Sequence, residues 1–212
     1  MLGDHPHNFA WGGSTAIRAA DFRRLEVAEK YWPHTVSDDY GVTRAVHDAR
    51  GSIRFEPRCL VASREDSSLG EFLRWANRQI IITRVYAPHL WWLVIAAHSL
   101  YAATMLLGLG LLVAPEVAAT ARWTAAGLLI ATEVLGTAKG RLRWIVAREL
   151  FPEEHETLQR SGSCYWQLAP LVLWVMFYNL IVAGFVRRIE WGGTEYELRS
   201  AKEVRVIQRR EG

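Results

Sequence analysis

The chain has 212 residues, of which half are hydrophobic and 22% are charged, and its net charge is +3. The two populations are segregated: residues 1–86 have the composition of a soluble protein, and residues 87–186 hold most of the apolar content. A single soluble core would mix them, so the segregation indicates an integral membrane protein. The arginines flank the apolar segments and form no stripe interleaved with aromatic residues, which argues against nucleic acid and favours the lipid bilayer as a partner.

The polar part predicts short helices and short strands. Helices are expected over residues 21–31 and from residue 37 to a stop at Gly51. Short strands are expected at residues 53–55 and 60–61. Such alternation is typical of a mixed α/β domain.

The remainder of the chain predicts membrane elements. Residues 69–86 predict an amphipathic helix in the membrane interface, because an apolar face lies opposite several arginines. Three apolar segments follow at residues 90–113, 117–138 and 166–186, and each is close to the ~20 residues that cross a hydrocarbon core. A charged loop is expected over residues 139–163, between the second and third segments.

Four parts result: a polar domain over residues 1–68, an interfacial helix over 69–86, a transmembrane region over 87–186 and a tail over 187–212. The tail predicts a short β structure with a Trp-Gly-Gly-Thr turn. The charged loop and the tail are both rich in arginine, which predicts a cytoplasmic location for both. Three full crossings cannot place the polar domain, the loop and the tail on one side. Three explanations therefore stay open: the first segment contains a re-entrant piece, residues 142–151 also insert into the membrane, or one of the segments does not cross.

Asp38 and Asp39 are the first candidate catalytic residues. Adjacent carboxylates at a helix start can supply a general base with an orienting neighbour. The alternative is structural, because acidic residues are common in first helical turns, where they interact favourably with the helix dipole. The pattern alone leaves both interpretations open.

Two further patterns are candidate ligand sites. The paired Gly12 and Gly13 allow the backbone to approach a ligand, although most such turns are structural. The interfacial helix carries arginines beside aromatic and amide side chains, an arrangement that suits a diphosphate. Its structural alternative is an anchor that contacts lipid phosphates. The cluster comprises Arg74, Trp75, Arg78 and Gln79.

Polar side chains inside the apolar segments form a third set. Ionisable groups at membrane depth are functional candidates, which favours His98 and Glu133 as a relay in a small transporter. The alternatives are a Glu133 that reaches Arg141 or water and a His98 that makes an ordinary helix contact. Asn179 is the third member of this set.

The order of these motifs carries more information than any one of them. A Gly-Gly-Ser-x-Ala-x-Arg turn at residues 12–18 precedes Ser-Asp-Asp at 37–39, the arginine and tryptophan helix, the apolar segments and a tail from Trp191 to Tyr196. This order resembles the C-terminal half of membrane-bound family 2 glycosyltransferases, most closely the ceramide glucosyltransferase-like group. The resemblance covers nearly the whole chain.

The resemblance implies an α/β fold plus membrane helices: the C-terminal remnant of a GT-A domain with a Rossmann-like sheet, an interfacial helix and about three transmembrane helices. It implies transfer of a hexose from a nucleotide sugar, such as a UDP-hexose, to a lipid hydroxyl, with a divalent metal such as Mg²⁺ or Mn²⁺. It also implies a bacterial inner-membrane protein whose catalytic part is cytoplasmic.

The resemblance assigns roles to the candidate residues. Asp39 is the general base and Asp38 its neighbour. The family's (Q/R)xxRW motif, which contacts the donor diphosphate and the acceptor, fits in two registers that leave Arg74 with Trp75, or Arg78 with Gln79, at the site. The pocket floor beneath the sugar is assigned to Gly12, Gly13, Ser14 and Arg18.

The chain also departs from the family. No Asp-x-Asp triplet occurs in it, and the family's nucleotide-binding first half has no counterpart. The polar part, ~86 residues, is small for a nucleotide-binding domain. We therefore expect a fragment that lacks the metal ligands and is inactive alone. The non-enzymatic alternative is a non-catalytic membrane subunit or a decayed pseudoenzyme.

Overall fold

The protein is described by a computed structural model that covers residues 3–5, 7–63 and 66–209. It is mostly helical and divides into two compact units, Met1–His89 with Ala183–Gly212, and Leu90–Val182. The helices are α1 (Ala19–Arg24), α2 (Asp38–Asp48), α3 (Leu69–Tyr86), α4 (Pro88–Val113), α5 (Ala119–Leu150), α6 (His155–Arg160), α7 (Gly162–Gln167) and α8 (Ala169–Phe185). The strands are β1 (Gly3–His5), β2 (Ile53–Phe55), β3 (Arg188–Trp191), β4 (Thr194–Ser200) and β5 (Glu203–Arg209).

The first predicted helix, over residues 21–31, is broken. The α-helix ends at Arg24, and Glu26 adopts a left-handed conformation with φ 51°. A π-helical turn, Val27–Tyr31, and a 3₁₀ turn, Trp32–His34, follow. The continuous helix was a wrong prediction, because a left-handed residue cannot continue a right-handed α-helix.

The second predicted helix is α2, which begins after Ser37 as expected. Its end is closed by two hydrogen bonds, from the N–H of Arg50 to the carbonyl of His47 (2.8 Å) and from the N–H of Gly51 to the carbonyl of Val46 (2.8 Å). This pattern is a Schellman motif, and its left-handed position is held by Arg50 with φ 55°.

The predicted strand at residues 53–55 is β2, whereas residues 60–61 form no strand. The N–H of Leu60 instead donates to the carbonyl of Pro57 (3.2 Å), in the 3₁₀ turn Pro57–Cys59. Both sheets are antiparallel, β1 with β2 and β3 with β4 with β5. The described residues therefore contain no parallel, Rossmann-like sheet, and a GT-A remnant is not confirmed.

Helix α3 has the predicted bounds and begins with a capping box. The N–H of Glu71 donates to Ser68 Oγ (3.3 Å), and the N–H of Ser68 donates to Glu71 Oε2 (2.8 Å). The Ser68 hydroxyl also donates to Glu71 Oε2 (2.7 Å), and this bond, together with that from the Ser68 N–H, lowers the pKa of the Glu71 carboxyl. Glu71 stands three residues before Arg74, at the first position of the (Q/R)xxRW register that uses Arg74 and Trp75, and thus has a local structural role.

The tail folds as the predicted β structure and packs on α3. Strands β3 and β4 both contact α3, and the turn between them contains Gly192 and Gly193 with φ 56° and 70°. Two apolar clusters form the core of this unit. The first comprises Val36, Ile81, Ile82, Ala183, Ile189 and Leu198, and the second Ala10, Val27, Val42 and Ala45.

Arg84 of α3 caps the end of α8. Its Nη1 donates to the carbonyl of Gly184 (2.6 Å) and its Nη2 to the carbonyl of Val186 (2.9 Å). Carbonyls at a helix C-terminus lack intrahelical partners and attract cations. Burial, and to a lesser extent Arg187, lowers the pKa of Arg84.

In the second unit, α4 confirms the first predicted apolar segment and is long and apolar enough to cross a membrane. Helix α8 is apolar but shorter, at 17 residues. No other helix among the described residues meets the same criterion, so the prediction of about three transmembrane helices is supported for α4 alone.

Helix α5 continues through much of the segment predicted as a loop. It runs for 32 residues and ends at Leu150, just before Pro152. Gly140 does not interrupt it: a Cβ there would lie 2.9 Å from Ala169 Cβ and 3.1 Å from Trp166 Cα, so the glycine permits close packing. Residues 155–160 and 162–167 are also helical. The charged loop predicted over residues 139–163 is therefore helical over most of its length.

Candidate functional site

Asp38 and Asp39 form the first turn of α2, where Asp38 is exposed and Asp39 is half-buried. Asp39 Oδ1 accepts a hydrogen bond from the N–H of Tyr40 (2.8 Å) and is bonded to the hydroxyl of buried Ser37. The N–H of Asp39 donates to Asp38 Oδ1 (3.0 Å). These bonds fix the orientation of Asp39, as a catalytic carboxylate requires.

The Gly-Gly-Ser turn lies against this carboxylate pair. The N–H of Gly12 donates to Asp39 Oδ2 (3.3 Å). A Cβ on Gly12 would lie 3.5 Å from that oxygen and 3.7 Å from Asp38 Oδ1. Two motifs that are 27 positions apart in the sequence therefore meet in one place, and both oxygens of Asp39 accept hydrogen bonds.

The turn itself is held by Thr15. The N–H of Trp11 donates to Thr15 Oγ1 (2.9 Å), and that hydroxyl donates to the carbonyl of Trp11 (2.6 Å). The N–H of Ser14 closes the turn on the same carbonyl (3.1 Å). Gly12 and Gly13 are left exposed on a fixed backbone.

Tyr40, the residue after Asp39, joins α2 to α3. Its hydroxyl donates to Thr83 Oγ1 (3.2 Å), and its ring stacks on Tyr86 at 5.4 Å between centroids. The Tyr86 hydroxyl accepts a hydrogen bond from the N–H of Val36 (3.2 Å). Burial raises the pKa of Tyr40. The general-base candidate therefore sits directly beside a packed α2–α3 contact.

The predicted residues of α3 point in different directions. Trp75 and Gln79 precede Thr83 by eight and four residues and share its side of the helix, whereas Arg74 precedes it by nine and lies on the opposite side. At a rise of ~1.5 Å per residue, Trp75 is also ~12 Å along the helix from Thr83. The structure does not bring Arg74 or Trp75 to Asp39.

Arg78 instead meets the tail. Its guanidinium lies over the ring of Trp191, 5.9 Å from the centroid. The N-terminal half of α3, which precedes Arg78, carries exposed apolar side chains: Leu69 is 70% exposed and Trp75 is 48% exposed. An exposed apolar helix face flanked by arginines is consistent with the predicted interfacial position.

A cavity of about 840 Å³ lies beside the glycine turn. It has the size of a small-molecule or lipid site. Trp11, Ser14 and Arg18 line it together with apolar side chains that include Ile17 and Val42. Arg18, predicted as pocket floor, therefore lines this cavity, whereas Gly12 faces the carboxylates.

The candidates of the second unit form no relay among themselves. Glu133 Oε1 accepts a hydrogen bond from the hydroxyl of Tyr101 (3.1 Å), and His98 Nδ1 lies 2.8 Å from the carbonyl of Val94 in its own helix. Asn179 is 1% exposed, and its Oδ1 has no hydrogen-bond partner. The hydrogen bonds of Glu133 and His98 are those of ordinary helix packing.

The metal expected from the resemblance finds no ligand set in the described part of the chain. No group of three or more His, Cys, Asp or Glu side chains occurs there. Asp38 and Asp39 supply only two neighbouring carboxylates, so the residues present do not fit a resident divalent ion.

Three contacts were missed at the sequence level: Ser37 with Asp39, Trp191 with Arg78, and Arg84 with the end of α8. Ser37 had a signal, since serine is a frequent N-cap. The other two join distant parts of the chain and have no local signature.

Comparisons with protein-family models, with curated proteins and with solved structures find no match to this chain. Its function is therefore argued from the residues and contacts described above.

Proposed function

We propose that the chain is the acceptor-activating, membrane-bound part of a glycosyltransferase that moves a hexose from a nucleotide-sugar donor to a lipid hydroxyl. The observation that supports this most is the Asp39 carboxylate, held between Ser37 and the open Gly12 turn beside α3. Such a carboxylate at the surface of a polar unit is suited to take a proton from an acceptor hydroxyl.

In the proposed reaction Asp39 removes the proton of the lipid hydroxyl as its oxygen attacks the anomeric carbon of the sugar. The bond from that carbon to the nucleoside diphosphate breaks, and the leaving oxygen takes the electron pair. Ser37 and Gly12 keep Asp39 aimed at the acceptor. Asp38 bonds the N–H of Asp39 and adds negative charge beside it. No step is assigned to a metal.

Charge that develops on the leaving diphosphate needs cations. Arg74 and Arg78 are four residues apart and share one face of α3. Arg78 is the better placed candidate, because it lies one turn nearer to Thr83 and its guanidinium contacts Trp191 of the tail. Helix α4 holds the protein in the membrane, and α3 lies at its surface so that a lipid acceptor reaches Asp39. The proposed location is the cytoplasmic side of a bacterial inner membrane.

Replacement of Asp39 by Asn tests the proposal. Loss of a general base costs about 10²–10⁴-fold in rate. Membranes from cells that produce the complete gene product are supplied with radiolabelled UDP-hexoses and a panel of lipid acceptors, and lipid-bound label is counted. We expect Asp39→Asn to lower transfer by at least 10²-fold.

Asp48→Asn is the matched control, since Asp48 lies at the other end of α2 and accepts a hydrogen bond from Tyr31 (3.0 Å). We expect it to leave transfer unchanged. Full activity of Asp39→Asn would contradict the proposal and favour a non-catalytic membrane subunit or a decayed pseudoenzyme.

A further inference from the structure

Trp11 combines a fixed backbone with a free side chain. Three hydrogen bonds, two with Thr15 and one with Ser14, hold its N–H and carbonyl. Its side chain is nevertheless 66% exposed. A large aromatic ring that is exposed on a fixed backbone is suited to bind a ligand. It offers a large apolar contact area, and the backbone that carries it loses little conformational entropy when the ligand binds.

Trp11 lines the cavity and is followed in the chain by Gly12, which contacts the carboxylate pair. A Cβ on Gly13 would come within 3.2 Å of Trp11 Nε1 and 3.3 Å of its Cδ1, so the indole rests on this glycine. The preceding Gly12 contacts Asp39, and Trp11 itself lines the 840 Å³ cavity. Trp11 is therefore adjacent in the chain to Gly12, the residue whose N–H donates to the general-base candidate Asp39.

Trp32 shows what a structural tryptophan looks like in the same unit. Its Nε1 donates to the carbonyl of Asp38 (3.2 Å), and its ring packs edge-on against Phe22 at 5.1 Å between centroids. It also contacts Gly41, where a Cβ would lie 2.9 Å from its Cδ1. Trp11 has no ring contact of this kind among the described residues.

We propose that Trp11 stacks on the pyranose ring of the sugar that is transferred, and so positions it beside Asp39. The face of an indole carries negative charge density, and the C–H groups on one face of a pyranose carry a small positive charge, so the two surfaces attract while the hydroxyls stay free for polar partners. The inference rests on the proposed function and adds a positioning residue for the donor sugar.

Sugar binding is measured directly on the full chain labelled with 5-fluorotryptophan. The ¹⁹F resonance that disappears in Trp11→Phe is that of Trp11, and the one that disappears in Trp32→Phe is that of Trp32. We expect methyl β-D-glucopyranoside to shift the Trp11 resonance and to leave the Trp32 resonance in place. Glycerol at the same concentration controls for bulk hydroxyl groups and should shift neither.

Transfer kinetics of the complete gene product provide the second measurement. Loss of a stacked ring corresponds to about a tenfold change, so Trp11→Leu should raise the KM for the nucleotide sugar about tenfold at unchanged kcat. Trp11→Phe, which retains an aromatic face, should restore most of that KM. A merely structural role would lower kcat or the yield of folded protein and would not follow the aromatic character of the side chain.

The outcomes separate this inference from the proposed function. If Asp39→Asn retains full transfer while the glucoside shifts Trp11, the proposed function fails and the sugar site is supported. If Asp39→Asn abolishes transfer while the glucoside leaves Trp11 unshifted and Trp11→Leu leaves KM unchanged, the sugar site is overturned. A Trp11 resonance that responds to phosphatidylcholine vesicles and not to the glucoside also overturns it, because the ring is then a membrane anchor.

Discussion

Arg50 ends α2 in a left-handed conformation that is unfavourable for any side chain with a Cβ. The next residue, Gly51, has a different reason to be glycine: a Cβ there would lie 2.9 Å from Val46 Cγ1 and 3.1 Å from the Val46 carbonyl oxygen. The choice of residue is therefore limited by backbone conformation at position 50 and by the space for a side chain at position 51.

Arg50→Gly should stabilise the protein. Removal of the left-handed strain contributes about 1 kcal/mol, which corresponds to a rise of about 2–4 °C in Tm for a chain of this size. Thermal unfolding of the detergent-solubilised protein measures it. Gly51→Ala is the opposing variant and should lower Tm, because the added Cβ displaces the Val46 carbonyl. A lower Tm for Arg50→Gly would contradict the assignment of this cap.

Helix α3 shows how one element serves both packing and site. Ser68 and Glu71 start it, Ile81 and Ile82 bury it against the tail, and Arg84 caps α8. Its two ends are therefore fixed by different means, by local hydrogen bonds at the first turn and by tertiary packing at the last.

The first turn of α3 should loosen in acid. The folded-state pKa of Glu71 is lowered by its bonds to Ser68. The capping contribution is therefore present above the ordinary pKa of a glutamate, 4.5, and is lost as the pH falls through the lowered folded value. Amide hydrogen exchange, corrected for its intrinsic pH dependence, should accelerate at residues 69–72 below pH ~4.5.

Two variants test the cap. In Ser68→Ala the exchange should already be about fivefold faster at neutral pH, as expected for loss of an N-cap of ~1 kcal/mol, and the acid effect should shrink. Ser67→Ala is the matched control and should behave as the parent chain. An acid effect of the same size in Ser68→Ala would show that another group is responsible.

The whole molecule has a polar unit and an apolar unit, and each contains one exposed thiol, Cys59 and Cys164. These native cysteines report the side of the membrane on which each lies. The proposed cytoplasmic catalytic part requires Cys59 to be shielded in intact cells. The arginine-rich segment that precedes Cys164 predicts the same for that residue.

A membrane-impermeant maleimide should therefore label neither cysteine in intact cells and both after permeabilisation. The variants Cys59→Ser and Cys164→Ser assign the signal to each residue. Labelling of Cys59 in intact cells would contradict the proposed location. Labelling of Cys164 alone would show an odd number of crossings between the two residues.

The sequence by itself determined the elements whose signals are local. The bounds of α3, the start of α2 after Ser37, the α4 segment and the β turn of the tail were all predicted, because caps, turns and hydrophobic periodicity depend on residues a few positions apart. The broken first helix was missed, because Glu26 has no composition signal for a left-handed conformation.

Only the tertiary structure decided how the candidate site is assembled. It placed Gly12 on Asp39 and brought Trp191 of the tail against Arg78 of α3. It also continued α5 past residue 139, where Gly140 packs on Trp166. Each of these outcomes depends on the direction in which a side chain leaves its element and on what a distant segment places beside it. A pattern of neighbouring residues contains neither quantity.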